Sequence, residues 1–184
     1  MSNHKNTVRE NNILESERLK LRPFSINDVE DVFLYAKDDD VTKYLTWESH
    51  TELSQTKKVV KEFYMNDEGI YAIELKDEHK CIGCIDLRID NENNKGSFGY
   101  VLNKSYWGQG YMPEALNMIL HFAFAKKELN RIQSTHYVGN EASGRVMQKC
   151  GMKHEGKELQ EVKVKGRYYD VVHYAILRRE WIKL

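Results

Sequence analysis

Gly108 and Gly110 stand one residue apart in the stretch YWGQGYMPEAL (106–116), directly ahead of an apolar run with helical spacing. That arrangement offers anion chemistry. The first backbone N–H groups of a helix have no internal partners, and the helix dipole places partial positive charge on them. Glycines let the backbone approach an anion with no side chain between. Pro113 suits the first helical position, where a missing N–H costs little. Spacing sets aside two other phosphate loops: the third glycine of a Rossmann fingerprint would fall on Pro113, and the lysine of a Walker loop does not follow. From these residues alone the stretch is either an anion cradle or a tight strand-to-helix turn.

Other reactive residues are sparser. Cys81 and Cys84 form C-x-x-C in HKCIGCIDL, but a structural zinc site needs four ligands and no second pair accompanies them, so no metal site is expected. The run alternates like a strand, which would send positions three apart to opposite faces; both thiols therefore read as packed and structural. Asp86 breaks the apolar pattern of the same run and is a candidate to face a cleft. The acidic runs DDD (38–40) and NDE (66–68) either attract a polycation or cap helix ends.

These groups must be carried by a single domain of ordinary size. At 184 residues the chain can bury about 70% of its unfolded surface without staples. The charges balance, 28 basic against 28 acidic, so no bulk field draws nucleic acid or an anionic membrane. No apolar run is long enough for a membrane span, and the N-terminal dozen residues lack the apolar core of a secretory signal. Three cysteines, an odd count, fit reduced thiols and a cytoplasmic, soluble protein. A monomer or a homodimer is equally compatible.

The periodicity predicts a strand at 18–24 ended by Pro23, helices over 25–40 (capped by Ser25 or Asn27) and 49–67, and an antiparallel meander over 69–75, 80–89 and 96–103. A largely buried helix over 112–127 follows the glycine loop. A strand (131–138), a short helix (140–151) and a closing hairpin turning at Lys165–Gly166 complete the chain. The fold class is α+β (mixed α/β), with a central, mostly antiparallel twisted sheet and helices on both faces. Residues 1–12 read as a flexible tail and 13–184 as the domain.

The segment GYVLNKSYWGQGYMPEAL resembles the acetyl-CoA loop of the GNAT superfamily of acyltransferases. It is closest to the RimJ/RimL-type branch, which acetylates protein N-termini, ribosomal proteins among them. The family loop reads Gln/Arg-x-x-Gly-x-Gly/Ala; here Gly110 matches the central glycine, Trp107 replaces Gln/Arg, and Met112 replaces the last small residue, placed to crowd the pyrophosphate. RLKLRPFSINDVEDV, KCIGCIDL, NEASGRVMQKCGMKHEG and GRYYDVVHYAILRREW resemble further family segments in the right order, covering roughly residues 14–181.

The resemblance implies a GNAT-like domain using acetyl-CoA as co-substrate. Tyr100, Val101 and Leu102 would pair their backbone with the pantetheine arm. The N–H groups of Gly108, Gln109, Gly110, Tyr111 and Met112 would take the pyrophosphate. Asn140 and Ser143 would sit beside the pantetheine and the sulfur, although Asn140 also reads as the N-cap of its helix. The tyrosine that many members use as an acid is Met147 here, which leaves Ser143 as the proton donor to the sulfur. Asp86 and Glu161 are the candidate bases, and His136 and His154 weaker ones. Tyr44 and Trp47 are candidates for the acceptor wall or for core packing.

The implied reaction is direct attack of an amine on the thioester in a ternary complex. A protein α-amine, with a pKa of about 7.7–8.0, is far more often neutral at pH 7 than a lysine at about 10.4. A site without an obvious dedicated base thus favours a protein or peptide N-terminus, a ribosomal one by resemblance. A polyamine, amino acid or aminoglycoside acceptor, or a non-catalytic acyl-CoA-binding module, are the alternatives.

Overall fold

The computed structural model describes residues 13–183; the expected flexible tail, 1–12, lies outside them. Short strands β1 (Leu14–Glu15) and β2 (Leu19–Arg22) open the chain, and Pro23 ends the second as expected. Helix α1 (Val29–Ala36) follows a 3-10 turn capped by Ser25, whose hydroxyl accepts from Asn27 N–H while Asp28 accepts from Ser25 N–H. The helix expected over 25–40 stops early because Asp38 caps a separate short helix, α2 (Asp39–Thr42), by accepting from Asp40 N–H. Helix α3 (Leu53–Glu62) completes the first helical group.

The meander is β3 (Ile70–Leu75), β4 (Lys80–Asp86), β5 (Arg88–Asp90), β6 (Lys95–Ser97) and β7 (Tyr100–Leu102). After it come α4 (Tyr111–His121), which runs into a π-helical turn at 122–126, then β8 (Arg131–Tyr137) and α5 (Glu141–Lys149). The closing hairpin is β9 (Lys153–Val164) and β10 (Arg167–Leu177), followed by α6 (Arg178–Trp181). Its two-residue turn has positive φ at both Lys165 and Gly166, the twist a tight hairpin needs.

The expected central sheet is two five-stranded sheets, ordered β1-β2-β3-β4-β7 and β5-β6-β8-β10-β9. All pairs are antiparallel except β6 with β8. The split falls inside two runs that looked continuous in sequence. At residues 87 and 98–99 the chain bends, so that the first part of 95–102 stays with β8 and the last part leaves with β4. The result is a fork between β7 and β8.

Three contacts hold the fork open. Ser134 Oγ donates to the Phe98 carbonyl (2.7 Å), Gly99 N–H donates to Asp86 Oδ1 (3.2 Å), and Asp86 N–H donates to the Gly99 carbonyl (3.0 Å). Backbone groups that leave a ladder in a buried place need such replacements.

Core clusters lie on both faces of the first sheet. One, under α1–α3, includes Val32, Tyr35, Val60, Cys81 and Cys84; the other, under α4, includes Leu21, Ile82, Ile85, Leu116 and Ile119. Cys81 and Cys84 thus share a face, against the alternation argument. The pairing shifts between Ile73/Gly83 and Glu74/Cys81, so Ile82 is an extra residue, and a bulge reverses the phase of the strand. Asp31 of α1 accepts from Cys81 N–H (2.9 Å) beside that bulge. Both thiols are free and buried, and burial raises their pKa values. Among the described residues no helix is long and apolar enough to cross a membrane.

Candidate active site

Gly110 is the N-cap of α4 at φ +83°, and Gly108 has φ +76°. Both values lie where a side chain is strained. Pro113 is therefore the third helical residue rather than the first, still within the turn whose N–H groups have no helical partner. Glu114 N–H is the first to bond back, to the Gly110 carbonyl (3.2 Å), which leaves Tyr111 and Met112 N–H at the open helix end. A Cβ on Gly108 would meet nothing within 4 Å, and one on Gly110 only Arg18 Nη2 at 3.5 Å. The space in front of the loop is open, a cradle that suits a diphosphate.

Arg18, at the head of β2, braces this loop. Its Nη1 donates to the Gln109 carbonyl (3.0 Å), its Nε donates to Glu114 Oε2 (2.7 Å), and its guanidinium lies 4.3 Å from the Tyr111 ring centroid. Ser16 Oγ also donates to Glu114 (2.7 Å). Burial pushes the Glu114 carboxyl up, but the bonds from Ser16 and Arg18 outweigh it and hold the carboxyl below the ordinary range.

The fork supplies an extended edge beside the cradle. Asn103 N–H donates to Ile82 and Asp86 N–H to Gly99, which fixes the phase of the β4–β7 ladder. An antiparallel ladder alternates, so Val101 bonds toward β4 while the backbone of Tyr100 and Leu102 faces the open side. Trp107 Nε1 donates to the Leu102 carbonyl (2.8 Å) and so ties the glycine loop to that edge.

A cavity of about 680 Å³ joins these parts. Tyr100, Val101, Leu102, Gly108, Gly110, Tyr111, Met112, Asn140 and Ser143 all line it. Gln109 does not: its Nε2 folds back onto the Ser105 carbonyl (3.0 Å) while Arg18 holds its own carbonyl. The Met112 side chain is buried in the core beneath α4, so it does not crowd the loop as expected. Met147 is likewise a core residue. Lys43, Arg145 and Lys149 also line the cavity, the last two one turn apart on α5.

A second cavity, of about 340 Å³, opens on the other side of the fork and shares Tyr44, Leu45, Tyr100, Val101, Asn140 and Ser143 with the first. Asp86, Trp47, Tyr64, His136 and Tyr137 line it too. Burial raises the Asp86 carboxyl pKa despite Arg88 beside it (3.0 Å) and the Gly99 N–H. Both contacts are made through Oδ1, and among the described residues no hydrogen bond falls on Oδ2. Tyr44 spans the mouth, its hydroxyl donating to the Gly139 carbonyl (2.7 Å).

Asn140 occupies the N-cap of α5, but its side chain makes no capping hydrogen bond and is left to the cavities. Ser143 Oγ lies 2.8 Å from the Tyr100 hydroxyl. Glu161 lines neither cavity. It sits on β9 and accepts from His173 Nε2 (2.7 Å), so the structure does not bring it to Ser143 and Asp86. His136 lines the second cavity with its ring packed on α5; His154 lines neither, its ring 5.7 Å from that of Tyr174. Of the residues that sequence reasoning missed, Arg18 lay inside a family-like segment, whereas the Tyr100 hydroxyl and Ser134 carried no local signal.

A family model described as an acetyltransferase (GNAT) domain matches residues 18–153. The uncharacterized N-acetyltransferase p20 of Bacillus licheniformis is 30% identical over 175 residues, spanning 91% of this chain and 97% of that protein. YdaF of Bacillus subtilis, named as a proposed ribosomal N-acetyltransferase, is 37% identical over 119 residues, 64% of each chain. A crystal structure of a GNAT-family acetyltransferase from Bacillus anthracis superposes with a TM-score of 0.84 at 30% identity, covering 91% of this chain and 99% of that one. The open cradle, the free strand edge and these likenesses agree: the chain belongs to the GNAT acetyltransferase family and is an N-acetyltransferase that takes its acetyl group from acetyl-CoA.

Proposed function

We propose that the acceptor is the α-amine of a protein or peptide N-terminus, a ribosomal protein being the leading candidate. The observation that carries this reading is the charge of the acceptor-side cavity. Asp86 is the only carboxylate among the described residues lining it, and Arg88 stands beside that carboxylate. A polyamine would want several carboxylates to replace its hydration, whereas a single amine on a peptide needs one. The acidic runs lie elsewhere: Asp38 caps α2, Asp40 pairs with Lys104, and Asp67 accepts from Gly69 N–H. The likeness to YdaF supports the same choice.

In this reading acetyl-CoA lies across the fork. Its arm runs along Tyr100–Leu102, its diphosphate meets the N–H groups at residues 108–112, and Asn140 flanks the arm. The amine enters from the second cavity as an ammonium ion, where Asp86 Oδ2 takes the extra proton and frees the lone pair before attack. Backbone N–H on the open edge stabilises the developing oxyanion, and Ser143 Oγ–H faces the sulfur. The experiment is incubation with acetyl-CoA and ribosomal-protein peptides carrying free or blocked N-termini, alongside spermidine, read by mass spectrometry. Acetylation of the free-N-terminus peptides alone is expected; labelled spermidine with no labelled peptide overturns the reading.

A further inference from the structure

Resting on the reading of Ser143 as the donor to sulfur, we propose that the Tyr100 hydroxyl is a positioning group that turns the Ser143 proton toward the thioester. Tyr100 and Ser143 line both cavities, so their contact lies where donor and acceptor must meet. The phenol oxygen is 2.8 Å from Ser143 Oγ and 3.0 Å from the Ser143 carbonyl. A carbonyl only accepts, and a phenol has one hydrogen. Two arrangements follow. If Tyr100 donates to the carbonyl, Ser143 Oγ–H donates back to the phenol and is not available to the sulfur. If Tyr100 donates to Oγ, the serine hydrogen is free to face the sulfur. This is the shorter of the two contacts, and the Ser143 carbonyl, inside α5, is already met by the helical N–H four residues on.

The ring that carries this hydroxyl is fixed. Tyr100 packs against the core cluster and stacks on Phe98, with ring centroids 6.0 Å apart and planes at 18°. Burial raises its pKa, against the pull of the Ser143 bond, so the phenol keeps its proton across the working range. Tyr100 therefore orients without ionising.

The nitrogen lone pair forms a bond to the thioester carbon, and the C–S bond breaks with its electrons going to sulfur. Sulfur takes the Ser143 hydrogen, and Ser143 Oγ is resupplied by the hydrogen leaving nitrogen. One proton moves from nitrogen to sulfur in total, giving amide and free thiol. Both atoms are bonded to the same carbon before the break, so a single hydroxyl can serve both.

The test is a double-mutant cycle on thiol release, with Tyr100→Phe, Ser143→Ala and the pair. Ser143→Ala is expected to lower kcat by roughly 100-fold, the low end for positioned proton transfer. Tyr100→Phe, which only orients that group, should lower it by roughly tenfold, about 1.4 kcal/mol. KM for acetyl-CoA and the melting shift with CoA should stay at the wild-type values in Tyr100→Phe, and Tyr100→Phe should add nothing to Ser143→Ala. The proposal is overturned by a wild-type kcat in Tyr100→Phe, by a defect that persists in the Ser143→Ala background, or by one confined to KM. A wild-type protein that releases no thiol with any amine would instead remove the underlying reading, and the proposal with it.

Discussion

Ser134 Oγ donates to the carbonyl of Phe98 (2.7 Å) across the point where the two sheets part. Phe98 is 2% exposed, so without the hydroxyl its carbonyl is left in a dry place. Leaving such a group unpaired costs about 1–3 kcal/mol. Ser134→Ala should therefore lower the melting temperature by roughly 2–10 °C for a domain of this size. Differential scanning calorimetry checks this, and an unchanged melting temperature would show that the hydroxyl is not a splint of the fork.

Gly144 is held by close approach rather than by backbone conformation. A Cβ there would stand 2.7 Å from His136 Nε2, and His136 is buried against Tyr174. Alanine gains about 1 kcal/mol of helix propensity, but overpacking costs about 1–3 kcal/mol. Gly144→Ala should be neutral to destabilising and should push His136 toward the acceptor-side cavity. Steady-state kinetics should show KM for the acceptor rising more than KM for acetyl-CoA; equal changes would argue against this geometry.

Arg18 and Glu114 form a part-buried brace under the diphosphate cradle. Arg18→Gln should weaken CoA binding about tenfold, about 1.4 kcal/mol, with a smaller effect on stability. The folded-state pKa of Glu114 is depressed, so its contribution to stability is present above the ordinary glutamate value of about 4.3. It is lost as pH falls through the lower folded value. Acid unfolding of Glu114→Gln should be shallower than that of the wild type in that window. Identical acid limbs would remove the brace from the account.

The pH profile separates acceptor classes. With an α-amine acceptor, kcat/KM should rise with pH and level off near the amine pKa of about 7.7–8.0, whereas a lysine would keep rising toward about 10.4. Burial raises the Asp86 pKa, so any limb from ionising this base lies above the ordinary aspartate value. Asp86→Asn should lower kcat/KM by roughly 100-fold or more. A variant as active as the wild type would reduce Asp86 to its bond with Gly99.

The sequence made part of this site legible. Gly108 and Gly110 stood out because positive φ ahead of a helix asks for glycine, and the helical spacing after them was clear. The direction of Met112 was not readable, since a helix start uncertain by two residues turns a side chain from the loop into the core. Cys81 and Cys84 misled because one inserted residue, Ile82, reverses the phase of a strand without altering its composition. The fork was hidden because alternation continues through residues that change sheets. Tyr100 and Ser143 meet across 43 positions, a pairing that only tertiary structure creates.

CoA binding at the glycine cradle is the property on which the donor half of the site depends. With CoA at about 100 times its Kd, the wild-type protein should gain about 2.7 kcal/mol, hence roughly 5–10 °C in melting temperature. Gly110→Asp, which sets bulk and negative charge against the diphosphate, should fold and show no shift. A wild-type protein indifferent to CoA, or a Gly110→Asp protein that shifts as the wild type does, would contradict the account.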